Sequence, residues 1–423
     1  MKHTLKEIEL NNGAKGLLIH VPGVEVVRIL AEFRAGFDLN SWDKYELPHV
    51  VEHMMFTNET YPAPRQFSRE IERNGAFNNA YTNSTSLEYD YECAHFEAER
   101  IAKLLAIQIT EPIFPDDELS TEKGNVEEEL NSNLSNPGRS AQYNLFAAAS
   151  GVPTLQTRIQ QLDSITSDNL KDHYQKTHTA GNMRFIVAGD IDFDILTSVL
   201  DTANLPKGYK RLDLPHIKTR HLEDPIVEIR DIPQIYYGIF SAYPKRFSYR
   251  EVVAARIMTS LLSNGFSSTL YGTARERGLV YGLSMGASFD TYETGFTFGG
   301  AVSPEHADDY FDLVREEVGK VLSGQVDKEQ FESTKTTLRG QRATQYQKLS
   351  NLIGYYDSYF TTGYEPFEYY DELLDEITLE ESQKAFTKLL KNDCWGVSFV
   401  GNIDEKQASK YQNKLATLFT KAS

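Results

Sequence analysis

Between residues 25 and 35 apolar and polar side chains alternate. Val27, Ile29, Ala31, Phe33 and Ala35 fall on one side, and Arg28, Leu30, Glu32 and Arg34 on the other. A period of two predicts a strand, and residues 5–36 as a whole read as strands punctuated at Gly13 and Gly23. Leu87, Tyr89, Tyr91 and Cys93 alternate in the same way with Glu88, Asp90 and Glu92, which puts Cys93 on an apolar side. Between these strands the period changes. Val50, Val51, Met54, Met55 and Phe56 supply the apolar body of a buried helix, with Pro48 in the first turn and Thr57-Asn58 as a stop. Gly36 to Asn40 is the loop that delivers the chain to it. Pro62-Ala63-Pro64 breaks the chain again, and Phe67 to Asn74 reads as a short helix ending at Gly75. Helices are predicted over 96–111 and 115–134 and through most of 140–180, with an apolar strand from Met183 to Ala188. His173 and His178, five apart, share no helical face and are expected at the surface.

The pattern then recurs. Val187-Ala188-Gly189-Asp190-Ile191-Asp192 returns as Phe399-Val400-Gly401-Asn402-Ile403-Asp404, 212 residues later. Gln234 to Ala242 reads as a strand like 25–35, and 249–263 as the helix after it. A repeat of domain length means duplication of one α/β unit rather than a solenoid. The expected organisation is a first domain over 1–205, a linker over 206–224 containing Pro206, Gly208 and Pro215, and a second domain over 225–423.

Composition narrows the function. The 423 residues are 40% hydrophobic and 25% charged, enough for two globular cores. A net charge of −18 argues against nucleic acid as a partner, because phosphate binding wants clustered Lys and Arg. It weakly favours basic or neutral peptides. Two distant cysteines, Cys93 and Cys394, imply neither a disulfide framework nor a thiolate metal site. Residues 1–7 have no apolar core and no run approaches membrane length, so a cytoplasmic chain with no membrane partner is expected.

The apolar helix carries three ionisable groups, His49, Glu52 and His53. Histidines four apart lie one turn apart on one helix face, so both imidazoles can reach one metal ion. Glu52 projects close to that face. A catalytic zinc site needs a third protein ligand and an open position. The stretch Glu122-Lys123-Gly124-Asn125-Val126-Glu127-Glu128-Glu129-Leu130 supplies a candidate, with Glu122 and Glu129 two turns apart on one stripe.

This HxxEH order, with a glutamate 76 residues beyond the second histidine and another seven before it, resembles the M16 inverzincin metallopeptidases, the family of pitrilysin, insulin-degrading enzyme and the mitochondrial processing peptidase. The resemblance implies that His49, His53 and Glu129 hold one zinc ion per chain, that Glu52 is the general base and that Glu122 supports the site. Asn78 to Asn83 resembles the family's NAYT segment, a strand edge that takes an extended peptide; Asn79, Ala80 and Thr82 would be its substrate-contacting positions. Ala274 to Tyr281 resembles the R-x-x-x-G-L-x-Y segment, whose arginine and tyrosine reach the substrate. The tyrosine matches as Tyr281; the arginine is Arg275 after a one-residue shift, or Arg277, or neither. The implied fold is α+β, an α/β sandwich of two homologous domains with antiparallel-rich sheets facing across a chamber, and only the first carries the metal motif. The implied activity is zinc-dependent endopeptidase action on peptides or unfolded segments. A homodimer, or a heterodimer with an M16-like partner, would complete the chamber. The alternative is a non-catalytic M16-like subunit that binds peptides or a partner.

Overall fold

A computed structural model describes residues 1–208, 210–362 and 370–421. Its strands form two sheets. The first contains β1 (Thr4–Glu9), β2 (Lys15–His20), β3 (Val26–Phe33), β4 (Phe77–Thr82), β5 (Leu87–Ala94) and β6 (Met183–Gly189), in the order β1-β2-β6-β3-β5-β4. The second contains β7 (Ile226–Ile229), β8 (Ile235–Tyr243), β9 (Val280–Phe289), β10 (Thr294–Val302) and β11 (Trp395–Gly401), in the order β7-β11-β8-β10-β9. Each sheet has one parallel pair, β2 with β6 and β7 with β11, and is otherwise antiparallel. Without β1, the two orders superpose strand for strand.

The repeated hexapeptide shows why the duplication is visible. β6 and β11 both leave the sheet through a glycine at positive φ, Gly189 at 159° and Gly401 at 149°. A Cβ on Gly401 would sit 2.4 Å from the Gln234 carbonyl oxygen, so the strand end has no room for a side chain. The acidic turn that follows puts Asp192 and Asp404 at helix N-caps, where each accepts a backbone N–H.

The chain forms two compact units, and each draws on both halves of the sequence. The first holds Met1–Leu130, Gln156–Pro215 and the helix Leu349–Thr362; the second holds Asn131–Leu155, His216–Thr344 and the chain from helix Tyr370–Glu376 onward. In the first unit, Leu352, Ile353 and Tyr356 of the Leu349–Thr362 helix pack on Leu17, Ile19, Leu30 and Ile186. This covers the polar side of the alternating strands. Glu32 and Glu88, cross-strand neighbours, are therefore buried, and Arg211 pairs with Glu32 at 2.5 Å. In the second unit, the helix Pro137–Ser150 packs on β8 and β11, and the helix Tyr249–Ser263 is buried along most of its length. No described helix is long and apolar enough to cross a membrane.

Two histidines are not where their spacing placed them. His173 and His178 are both buried rather than at the surface. His173 Nε2–H donates to the Ala35 carbonyl at 3.0 Å, and burial lowers its pKa to about 4. His178 lies 2.7 Å from the Tyr89 hydroxyl through Nε2 and 3.0 Å from Thr177 Oγ1 through Nδ1, and its ring stacks on Phe33. Each imidazole is a neutral core residue whose Nε2 is satisfied by a group distant in sequence.

Candidate metal centre

The motif helix runs from Leu47 to Met54 and buries Leu47, Pro48, Val50, Val51 and Met54. Pro48 sits in its first turn, where no intrahelical N–H bond is lost. With these positions turned inward, His49, Glu52 and His53 share the remaining face. The second contributor is the helix Asp116–Ser135. Its apolar stripe of Leu119, Val126 and Leu130 is buried, and Glu122 and Glu129 each follow a stripe residue by three positions. That register aims both at the motif helix; Glu122 is half-buried, whereas Glu129 is exposed, as Glu127 and Glu128 are.

The side chains converge. His49 Nε2 lies 3.4 Å from Glu129 Oε2, and His53 Nε2 lies 3.7 Å from Glu129 Oε1. One donor atom from each of the three residues fits within a mutual spacing of 4.8 Å. Zinc bonds of about 2.0–2.2 Å put neighbouring ligand atoms about 3.4 Å apart in a tetrahedron, so the spacing fits that ion. Two imidazoles and a carboxylate are also a donor set that leaves a fourth position open. The far side of each imidazole is held by another carboxylate. His49 Nδ1–H donates to Glu46 Oε2 and His53 Nδ1–H donates to Glu122 Oε2, both at 2.8 Å. Nδ1 of each ring thus carries a proton, and Nε2 is the atom that faces Glu129.

Glu46 is fully buried and also receives Arg158 Nε. The Arg158 guanidinium in turn lies 5.3 Å from the Phe37 ring centroid and 5.0 Å from that of Tyr45. Asn125 donates to Glu122 at 3.0 Å. Glu46 and Arg158 join this cluster but are absent from the motif. The available signal was Glu46 three residues before His49, the helical spacing that brings side chains together.

The electrostatics call for a cation. Burial would lower the His49 pKa, but hydrogen bonds to Glu129 and Glu46 and the charges of Glu46 and Glu52 raise it to about 10. The hydrogen bond from His49 holds Glu129 below the ordinary carboxylate range, against burial. A centre that raises an imidazole pKa so far favours positive charge, which a proton or a divalent ion can supply. Glu52 differs: burial raises its pKa, and the charge of His49 and a 2.7 Å hydrogen bond from Thr82 Oγ1 to Oε2 oppose the rise.

The family models match in two blocks. Residues 25–161 match the insulinase family, Peptidase family M16, and residues 164–338 match the M16 inactive domain. This chain belongs to the M16 peptidase family. An uncharacterized zinc protease of Rickettsia felis is 22% identical over 360 residues, 83% of this chain and 86% of that one. A protease from Helicobacter pylori has the same fold, with a TM-score of 0.84 at 16% identity over 94% of this chain and 99% of that chain. The M16 inactive domain structure from Pseudomonas fluorescens also matches at 0.84, with 18% identity over 95% and 98% of the two chains.

The remaining M16 positions fall in two places. β4 is the edge strand of the first sheet. Asn79 on it is exposed and Ala80 is buried, while Thr82 turns to Glu52. Ala80 can therefore offer a ligand its backbone but little side chain. Tyr281 and Arg275 belong to the second unit. Tyr281 is 82% exposed on edge strand β9. Arg275, in the last turn of the helix Thr269–Glu276, lies with its guanidinium carbon 4.8 Å from the Tyr281 ring centroid, whereas Arg277 is the exposed C-cap.

Proposed function

We propose that this M16 chain is a zinc-dependent endopeptidase that cuts peptides or unfolded segments bound in extended form. The observation that carries the reading is the meeting of His49, His53 and Glu129, with Glu46 and Glu122 fixing the imidazoles and Glu52 beside them. His49, His53 and Glu129 would hold the ion. When bound, zinc supplies Lewis-acid charge, which acidifies water and polarises a carbonyl.

The chain's own residues supply proton transfer and placement. Glu52 takes the proton of the attacking water and returns it to the leaving amine. Thr82 occupies Glu52 Oε2, so the proton passes through Oε1. Because burial raises its pKa, Glu52 is a stronger base than an exposed carboxylate, and it can keep the proton until the amine leaves. The free edge of β4, at Asn79 to Thr82, offers backbone groups for an extended peptide to pair with. Tyr281 would donate to the oxyanion and Arg275 to a substrate carbonyl. A homodimer, or a pairing with an M16-like partner, would complete the enclosure; light scattering of the active species tests this, and an active monomer rejects it.

The test is metal analysis of the purified chain beside digestion of mixed unstructured peptides, with chelator and then with zinc restored. Stoichiometric zinc and chelator-sensitive cleavage that disappears in Glu52→Gln are expected. Cleavage surviving both treatments rejects the mechanism. The second reading, a non-catalytic peptide-binding subunit, draws on the inactive-domain match over 164–338. It requires zinc-loaded protein that binds peptides without cutting them.

A further inference from the structure

Two aromatic rings flank Arg275 in the second unit. Its guanidinium carbon lies 4.8 Å from the centroid of Tyr281 and 5.7 Å from that of Phe266. Tyr271 backs this arrangement: its ring is 5.8 Å from Phe266, and its hydroxyl donates to the Tyr281 carbonyl at 3.3 Å. The segment bearing Phe266 is pressed on the helix Thr269–Glu276, since a Cβ on Gly272 would lie 2.3 Å from the Phe266 carbonyl oxygen. Yet Phe266 is 69% exposed and Tyr281 82% exposed. Large rings held in place and left in water contribute little to a core.

Hydrogen bonds hold Arg275 only weakly. Among the described residues its one hydrogen bond is a long 3.5 Å contact from Nη1 to the Val280 carbonyl, and Nε is buried without a partner. A guanidinium has five N–H donors, so most of this one's are uncommitted. With such weak polar restraint, orientation falls to the rings. Cation–π attraction lays the planar group against aromatic faces and leaves its edge, where the N–H groups point, open to a ligand.

We propose that Phe266 is a positioning residue for Arg275, clamping the guanidinium against Tyr281 so that its donor edge is presented to a carbonyl or carboxylate of a bound peptide. This rests on the peptide-binding reading above and adds a residue outside the recognised motifs. Phe266 acts through Arg275, so its contribution must vanish when Arg275 is gone.

The experiment is a double-mutant cycle of Phe266→Leu and Arg275→Gln, with Phe266→Tyr as the conservative control. KM and kcat are measured on a cleaved peptide, and peptide affinity is measured in zinc-loaded Glu52→Gln protein. Phe266→Leu is expected to raise KM and Kd about two- to fivefold, the usual scale of an exposed cation–π contact. kcat should change less, zinc content should hold, and Phe266→Tyr should behave as wild type. In the Arg275→Gln background Phe266→Leu should add nothing. Additive losses overturn the proposal, because Phe266 would then act independently of Arg275; so does a failure of Phe266→Tyr to restore affinity. A readout without peptide is the Arg275 side-chain NεH resonance in selectively labelled protein, assigned with Arg275→Lys. Ring-current displacement in wild type and Phe266→Tyr, lost in Phe266→Leu, is expected; no change in Phe266→Leu overturns the clamp. A wild-type chain that neither cuts nor binds peptides removes the underlying function, and is recognised before any Phe266 variant is compared.

Discussion

Glu46 offers a sharp test of how the candidate metal centre is built. It is fully buried and divided between two partners, accepting from His49 Nδ1 through Oε2 and from Arg158 Nε through Oε1. Glu46→Gln keeps the shape and removes the charge. One amide oxygen can still accept from His49 or from Arg158, but the NH2 group then points a donor at the other donor. Two losses follow. Removing the carboxylate behind a metal-ligating imidazole typically weakens metal binding about 10–100-fold, or about 1.4–2.7 kcal/mol. Breaking one side of a buried ion pair costs about 3–5 kcal/mol, and Arg158, only 7% exposed, loses its Glu46 carboxylate.

A second variant separates the two losses. Glu46→Gln with Arg158→Met removes the stranded cation and fills its space with an apolar chain, which restores most of the stability. Zinc affinity should stay low, since His49 still lacks its carboxylate. The assays are chelator-competition titration for zinc and urea unfolding of metal-free protein for stability. Wild-type zinc affinity in Glu46→Gln would refute the role assigned to Glu46. Recovery of affinity together with stability in the double variant would show that Glu46 serves the fold and reaches the metal only through it.

Three further outcomes follow. Glu129→Gln should sharply reduce bound zinc by metal analysis, since the site loses its anionic ligand; stoichiometric zinc with full activity would move the role to another glutamate. Tyr281→Phe should lower turnover by up to about 10²–10³-fold if its hydroxyl donates to the oxyanion, with the urea midpoint unchanged because the residue is 82% exposed; a shifted midpoint with normal turnover contradicts it. Burial raises Glu88 from its ordinary 4.5 to about 7, with Glu32 adding to the rise and hydrogen bonds from Ser86, Tyr81 and Asn83 opposing it. A raised folded pKa means stability present below the unfolded value and lost as pH climbs through the folded one. Glu88→Gln should therefore flatten the fall in urea midpoint between pH 5 and 8, and an equally steep fall in the variant would assign it to other groups.

What the sequence disclosed is what short-range periodicity controls. The motif helix, the glutamate stripe at a spacing of seven, the alternating strands and the repeated hexapeptide all stand at or close to their expected places. What it concealed depends on contacts between distant segments. Arg158 lies 112 residues beyond Glu46, and only the folded chain shows that one neutralises the other. The alternation of Glu32 and Glu88 with apolar neighbours reads as a half-solvated strand pair, but the Leu349–Thr362 helix closes over that side. His173 and His178 are concealed in the same way. Helical spacing says which residues share a face, whereas burial depends on the Ala35 carbonyl and the Tyr89 hydroxyl waiting to receive them.

The duplicated fold offers two corresponding helices for comparison. The helix after β3 carries His49, Glu52 and His53; the helix after β8, Tyr249–Ser263, is apolar and buried along most of its length, with Leu261 at the offset of His49. In the first unit the ionisable groups are paired with one another. Glu46 balances His49 and Arg158, Glu122 balances His53, and Glu129 faces both imidazoles. Removing Glu46, which is fully buried, breaks its buried ion pair with Arg158 at a cost of several kcal/mol, about the size of a domain's net stability. The corresponding helix of the second unit buries apolar residues instead and needs no such pairing. The first unit retains every member, together with Glu52 and the Thr82 hydroxyl that orients it. Glu52 makes no ion pair with a lysine or arginine among the described residues, and burial raises its pKa. Binding a partner has no use for that carboxyl, whereas peptide hydrolysis does, so its place beside the two imidazoles supports the catalytic reading proposed above.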